Sequence, residues 1–339
     1  MVWRKQSAVA DNETNAPKRV LVIQLGGLAE FAYALAAAKC IREAHVGARI
    51  TLLTTEVTRE LAEKAPFFDT VEADGKPKEP QAITKLIARI RAAKYDMIYD
   101  LEGSNRTSNY FQGLRPWPPS WSGPTQGASH PFIDPDRAHL HPLDRLERQL
   151  RSAGVAVNGP LMSDLSWVRG MLRDPPRLQP DYFGIRGPYI VLTPRGSSAE
   201  PTRRWPEAKY IEVARRAAQA GVTPVILGGE TERPVGAAVA KAEPRAKNLV
   251  MRPDVFQTVT LFERASFVVG DDVDLMHLAA AAGAPCLALL SALHQPERSA
   301  PRGRGGVILF TAAVVADLPV EQVERQLRNC GIIVRAATA

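Results

Sequence analysis

Two successive α/β units, each a doubly wound parallel sheet flanked by helices, are what this 339-residue sequence predicts. Three observations carry that prediction. Aliphatic and β-branched runs alternate with helix-length segments along most of the chain, and the alternation stops and restarts once. The runs are apolar on both faces, the pattern of central parallel strands. The first run of each half, RVLVIQL (Arg19–Leu25) and YIVLTP (Tyr189–Pro194), ends in a glycine-containing turn, Gly26-Gly27 and Arg195-Gly196. The length suits two domains of roughly 150 residues each.

In the first half, FAYALAAAKCIREAH (Phe31–His45) reads as a helix and ARITLLTT (Ala48–Thr55) as the next strand. TRELAEKA reads as a short helix, residues 81–94 as an amphipathic helix, and YDMIYDL (Tyr95–Leu101) as a third strand. This β-α-β-α-β order implies right-handed crossovers. Residues 115–142, rich in Pro, Trp, His and Ser, read as a long irregular loop, a kind that tends to be functional. LDRLERQLRSAGV (Leu143–Val155) restores helix.

The proline-dense stretch 174–188 reads as a linker. After the strand Tyr189–Pro194, Trp205–Gly221 is a helix stopped by its glycine, and TPVILGG (Thr223–Gly229) a strand. A helix and a short strand, NLVM, follow, then a helix over Val255–Ala265 and the strand FVVGDD (Phe267–Asp272). DLMHLAAAAGA is a helix, PCLALLS and GVILF are strands, and Val320–Gly331 is a closing helix. The domains are therefore a disordered arm over residues 1–17, an N-terminal domain over 18–173, the linker, and a C-terminal domain over 189–339. The last helix is free to pack back on the N-terminal domain.

Composition bounds the function. A net charge of +7 favours polyanionic partners such as phosphorylated sugars, nucleotides, anionic lipid surfaces or nucleic acid, although many basic chains bind nothing acidic. No recognisable nucleic-acid module is present, so no specific nucleic-acid binding is expected. Cys40, Cys286 and Cys330 show no C-x-x-C spacing. The first two lie in apolar runs and read as buried thiols, which fits a reducing cytoplasm. The N-terminus lacks the apolar core of a secretory signal. The longest apolar run, Leu278–Leu293, is split by Gly283 and Pro285 and falls short of the ~20 residues of a spanning helix.

Four clusters could carry chemistry. Gly26-Gly27-Leu28-Ala29-Glu30 joins the first strand to the first helix. Glycines there admit a ligand to the backbone, and Glu30 can act as general base toward a hydroxyl or simply favour the helix dipole. This is not G-x-G-x-x-G, so no dinucleotide fingerprint is supported. The segment from Thr193 through Gly196, Ser197 and Arg203 to Pro206 combines hydroxyls, a glycine and three arginines. It suits a diphosphate, or is a solvated basic loop. Gly270-Asp271-Asp272-Val273-Asp274-Leu275-Met276-His277 opens an apolar helix whose main-chain N–H groups can hold phosphate. Its aspartates lack the spacing of a metal site, and a histidine so placed is more often a satisfied core residue. Glu230 and Glu232 end a strand where acidic residues can accept hydrogen bonds from a ribose, or mark an ordinary turn.

In this order and spacing the clusters resemble glycosyltransferase family 9, the heptosyltransferase family, from Arg19 to the final helix. RVLVIQLGGLAEF resembles its strand–glycine turn–acidic element, and PYIVLTPRGSSAEPTRRWPEAKY its phosphate-side loop ending in R-W-P. TPVILGGETE resembles its nucleotide-side strand, and FVVGDDVDLMHLAAAAGAPCLALLSA its G-N-D-T-G-P-M-H-L-A-A-A-x-G-x-P element. WSGPTQGASHP resembles the acceptor-side segment of one branch. The resemblance implies a GT-B fold, two Rossmann-like domains facing across a cleft. It implies an inverting transfer without metal or other cofactor, from a nucleotide-sugar, typically ADP-heptose, to a lipid A–core or related lipid-linked glycan.

Carried over, the base is Glu30. The donor lies against Thr193, Gly196, Ser197, Arg203, Glu232, Asp272, Val273, Asp274, Leu275 and His277. Gly26, Gly27, Arg106 and His130 face the acceptor. A lipid-linked acceptor implies peripheral contact with the cytoplasmic face of the inner membrane, where basic residues gain affinity.

The chain departs from the family pattern at three places. G-x-x-G-D reads Gly26-Gly27-Leu28-Ala29-Glu30, the lysine before R-W-P is Arg203, and D-T-G-P reads Asp272-Val273-Asp274-Leu275. The last change puts a carboxylate where a diphosphate is due. Two readings follow: an active glycosyltransferase, or a catalytically degenerate relative that binds glycan, lipid or protein in envelope assembly.

Overall fold

The computed structural model describes residues 17–173, 175–196 and 200–333. The arm, apart from its last residue, and Ser197 lie outside the described residues.

The first sheet contains β1 (Arg19–Ile23), β2 (Arg49–Leu53), β3 (Thr70–Glu72), β4 (Met97–Asp100), β5 (Ser120–Gly123) and β6 (His130–Pro131). Its order is β3-β2-β1-β4-β5-β6 and every pairing is parallel. Around it run α1 (Leu28–Ala44), α2 (Glu56–Lys64), α3 (Pro80–Ala93), α4 (Asn105–Leu114), α5 (Pro142–Ser152) and α6 (Trp167–Met171). The second sheet contains β7 (Tyr189–Thr193), β8 (Thr223–Ile226), β9 (Lys247–Asn248), β10 (Phe267–Gly270), β11 (Cys286–Ser291) and β12 (Val307–Ala312). It is also parallel throughout, in the order β12-β11-β10-β7-β8-β9. Its helices are α7 (Glu207–Gln219), α8 (Arg233–Ala242), α9 (Val255–Glu263), α10 (Val273–Ala281), α11 (Pro296–Ser299) and α12 (Val320–Asn329).

Both sheets have the doubly wound form, and the opening strand of each stands at the point where the strand order reverses. Ligands in such sheets bind outside the carboxyl ends of the strands at that point. In the first sheet it lies between β1 and β4, and in the second between β7 and β10. Val20–Ile23 and Ile190–Leu192 are fully buried, as strands covered on both faces require.

The halves meet along α1 and α10. One apolar core runs from Val22, Phe31 and Leu35 into Leu278, Ala280 and Leu290. Polar bonds cross the same boundary. His141 accepts Leu143 N–H on Nδ1, so its Nε2–H donates to Ala300 O at 2.9 Å. Arg302 grips both oxygens of Asp144, Arg304 pairs with Asp164, and Leu165 N–H donates to Ala281 O.

Four expectations are corrected. Residues 115–142 are not one irregular loop. β5 and β6 extend the first sheet there, held by pairing with β4 and by burial of Trp121. The proline-dense stretch is not a bare linker, because short 3-10 turns over Pro176–Leu178 and Pro180–Phe183 dock it, with Leu178 buried and Arg177 paired to Asp254. The last helix stays on its own half. α12 buries Val323 and Leu327 in the C-terminal core while Glu324 pairs with Arg216 of α7. Finally, Cys286 is buried but Cys40 is only partly so.

Candidate functional site

The turn from β1 into α1 brings backbone and side chain close together. A Cβ on Gly26 would stand 2.7 Å from both Glu30 Cβ and Gln24 Nε2, so only glycine fits. Gly27 caps α1 and offers no side chain. Glu30, three residues on, takes the Gly27 N–H on Oε2 at 3.1 Å. One carboxylate oxygen thus caps the helix. The other has no hydrogen bond among the described residues, and the residue lines an open cavity. The two sequence readings of Glu30 are compatible because its two oxygens do different things.

That cavity, about 360 Å³, is walled by Gln24, Glu30, Tyr33, Lys76, Glu102 and Arg145 among others. Gln24 is only 3% exposed, and its Oε1 has no partner. A buried amide oxygen without a donor costs about 1–3 kcal/mol. Glu102 accepts Leu25 N–H at 3.1 Å. Arg145 lies in a cationic setting: burial lowers its pKa, and Arg137 and Arg298 press in the same direction against Glu102 and Glu30. With Lys76 it gives the cavity two cations to set against two carboxylates.

On the opposite half, Asp271 organises the loop after β7. It is 1% exposed and accepts three hydrogen bonds, from Arg195 N–H (2.7 Å), Trp205 N–H (2.6 Å) and the Tyr210 hydroxyl (2.6 Å). Burial raises its pKa, and those donors partly offset the rise. Arg195 Nε is tied to Asp271 O, and Arg195 and Arg203 line a narrow hollow with Val273, Ser291 and Pro296. The hollow is small, about 10 Å³, so Arg195 and Arg203 offer a diphosphate charge and forked donors but not the room for it without side-chain movement.

Between cavity and hollow stands the first turn of α10. Asp272 caps it, accepting Leu275 N–H at 2.8 Å, and burial pushes its carboxyl up to about 6. Asp274 is raised by burial and then by Glu30 across the cleft, and is lowered by Arg195. One turn further, the Tyr33 hydroxyl lies 2.5 Å from Nδ1 of His277. Burial holds that phenol well above its ordinary pKa, so Tyr33 stays protonated in this bond.

The fold gathers most of the residues expected to act and separates some. Gly26, Gly27 and Glu30 line the cavity, while Arg203 and Val273 line the hollow. Glu30 and Arg203 therefore share no single hollow, and Asp274 is coupled to Glu30 on one side and to Arg195 on the other. Leu275 packs against the core. Thr193 is fully buried, its hydroxyl donating to Met276 Sδ. Gly196 lies against Thr231 and Glu232, where a Cβ would overlap both side chains. Glu232 is 6% exposed, takes Gly229 N–H on one oxygen and the Thr231 hydroxyl on the other, and so braces its own turn. Arg106 donates to Pro77 O, holding the segment that carries Lys76. His130 sits on the far edge strand beside Ser129. Gln24, Tyr33, Lys76, Glu102 and Arg145 were missed by sequence reasoning. Gln24 alone left a signal, as the one polar residue in the run Val20–Leu25. Among the described residues no group of three or more His, Cys, Asp or Glu side chains is placed to hold a metal.

Comparison with known proteins adds independent information. The sequence pattern of glycosyltransferase family 9 (heptosyltransferase) matches residues 83–313. The chain is 20% identical over 291 residues to the lipopolysaccharide core heptosyltransferase OpsX of Haemophilus influenzae, covering 85% of this chain and 83% of that protein. It is 31% identical over 107 residues to lipooligosaccharide heptosyltransferase 2 of the same organism, a stretch that spans 30% of this chain and 31% of that protein. The solved structure of Escherichia coli heptosyltransferase WaaC with ADP superposes with a TM-score of 0.73 at 17% identity, over 92% of this chain and 99% of that one. That likeness establishes the fold as GT-B.

Proposed function

The chain belongs to glycosyltransferase family 9, and from that premise we propose that it transfers a sugar from a nucleotide-sugar, of the ADP-heptose type, to a hydroxyl of a lipopolysaccharide-core or related envelope glycan, with inversion. The observation that carries this reading is the opposition of two hollows. One contains a carboxylate with a free oxygen, Glu30, and the other two guanidinium groups, Arg195 and Arg203.

The acceptor sugar occupies the cavity beside Glu30. Lys76 and Arg145 hold an anionic substituent. Glu30 accepts the proton of the reacting hydroxyl, whose oxygen attacks the anomeric carbon from the face opposite the diphosphate. The bond from that carbon to the phosphate oxygen breaks, and the nucleoside diphosphate leaves with the electron pair. Arg195 and Arg203 stabilise the negative charge that grows there, and no step needs a metal. The ADP held by the WaaC structure supports an adenine nucleotide on the donor side.

Among the described residues no helix is long and apolar enough to cross a membrane. In this proposal the lipid-linked acceptor is met at the cytoplasmic face of the inner membrane by peripheral contact, which the net charge of +7 favours.

The test is a transfer assay with ADP-heptose, a panel of other nucleotide-sugars and truncated lipopolysaccharide acceptors. Transfer from one donor supports the proposal. The competing reading, a degenerate binding protein, rests on Asp274 and Ala29. It wins if the wild type transfers nothing while an E30D/D274G variant does.

A further inference from the structure

One carboxylate stands between the two hollows and lines neither of them. We propose that Asp274 reads the transferred sugar by accepting hydrogen bonds from its hydroxyl groups. This rests on the donor and acceptor placements given above.

Position carries the argument. Asp274 projects from the first turn of α10, one turn before His277, which Tyr33 fastens across the interface. Glu30 and Tyr33 stand one turn apart on α1 in the same way. Asp274 therefore feels Glu30 from the facing helix and Arg195 from the loop after β7, with Asp272 beside it on its own turn. A sugar that links a diphosphate at Arg195 and Arg203 to an acceptor oxygen at Glu30 has to cross the space Asp274 faces. Its neighbour Val273 lines the diphosphate hollow, while Asp274 itself lines neither hollow.

Its chemistry fits a hydroxylated ring. Asp274 is exposed to the cleft and has no hydrogen-bond or ion-pair partner among the described residues. An ionised carboxylate accepts only, and sugar hydroxyls donate. Burial and Glu30 both raise the proton affinity of Asp274, and hydroxyl donors placed between the carboxylates relieve that repulsion.

The test compares nucleotide with nucleotide-sugar. Calorimetry measures the affinities of ADP, ADP-glucose, ADP-mannose and ADP-heptose for the wild type, Asp274→Ala and Asp274→Asn, with melting temperatures as the folding control. In the wild type at least one ADP-sugar should bind more tightly than ADP. Asp274→Ala should weaken that ADP-sugar about ten- to hundredfold, the range for hydrogen bonds to a charged group, and change ADP less than about threefold. Asp274→Asn, which keeps one acceptor oxygen, should fall between. The proposal is overturned if Asp274→Ala tightens ADP and ADP-sugar alike, which would place the carboxylate against the diphosphate. It is also overturned if no ADP-sugar differs from ADP in the wild type. Should the wild type bind none of the four, the donor-site reading fails as well.

Discussion

Replacing Asp271 by alanine should destabilise the donor side without removing any reacting group. The carboxylate takes bonds of 2.6–2.7 Å from Trp205 N–H, Arg195 N–H and the Tyr210 hydroxyl, the first and last buried and the second partly so. Alanine leaves those three donors without acceptors. At about 1–3 kcal/mol for each buried orphan, less what an entering water recovers, the loss is about 3–6 kcal/mol. For a unit of roughly 150 residues this lowers the melting temperature on the order of 10 °C. Asp271→Asn keeps one acceptor oxygen and should lose about half as much. Thermal unfolding followed by circular dichroism gives the stability, and ADP titration shows whether Arg195 and Arg203 have lost their footing. If the alanine variant melts within about 2 °C of the wild type and binds ADP as well, Asp271 is not the organiser of this loop.

Three further outcomes are expected. Glu30→Gln keeps an oxygen for the Gly27 N–H, so melting should be unchanged while turnover in the transfer assay falls about 10²–10⁴-fold, the usual worth of a general base. Arg203→Ala should weaken ADP about tenfold or more by removing a charge-assisted phosphate contact, without altering acceptor binding measured by calorimetry. Asp100, fully buried at the end of β4, is pushed up to about 7, chiefly by burial. Between the ordinary carboxylate range and pH 7 the folded chain therefore holds a proton that the unfolded chain releases, and stability falls as pH rises through that window, by up to about 4 kcal/mol. Asp100→Asn should flatten that dependence in denaturant titrations at pH 5 and pH 8. A slope equal to the wild type's would count against the assignment.

The parts of the fold that the sequence made legible are those whose residues are buried on both faces. Val20–Ile23, Ile190–Leu192 and Cys286–Leu290 announce themselves because a central parallel strand admits no polar alternation. β5 and β6 did not, because Ser-Trp-Ser-Gly and His-Pro carry little strand preference. They are strands by virtue of pairing with β4 and each other, a tertiary effect. β3 is three residues long and follows the same rule. α4 is polar along most of its length, and its one local sign is the cap in which Ser104 Oγ accepts Thr107 N–H.

The site divides in the same way. Glu30 and Arg203 stand beside glycine turns and strand ends, where topology puts ligands, so spacing could find them. Gln24, Lys76, Glu102 and Arg145 come from four separate segments, and only the strand order brings them around one cavity. Thr193 and Glu232 show the converse. They are residue types suited to a ligand, yet the fold occupies their polar atoms with Met276, Gly229 and Thr231. Residue type indicates what a side chain is able to do, and burial decides whether it is free to do it.

The most direct measurement is a crystal structure with an unreactive nucleotide-sugar bound. The diphosphate should lie within hydrogen-bond reach, about 3 Å, of the Arg203 guanidinium, with the anomeric carbon turned toward Glu30. A diphosphate seated in the Glu30 cavity, or a sugar pointing away from Glu30, would contradict the account.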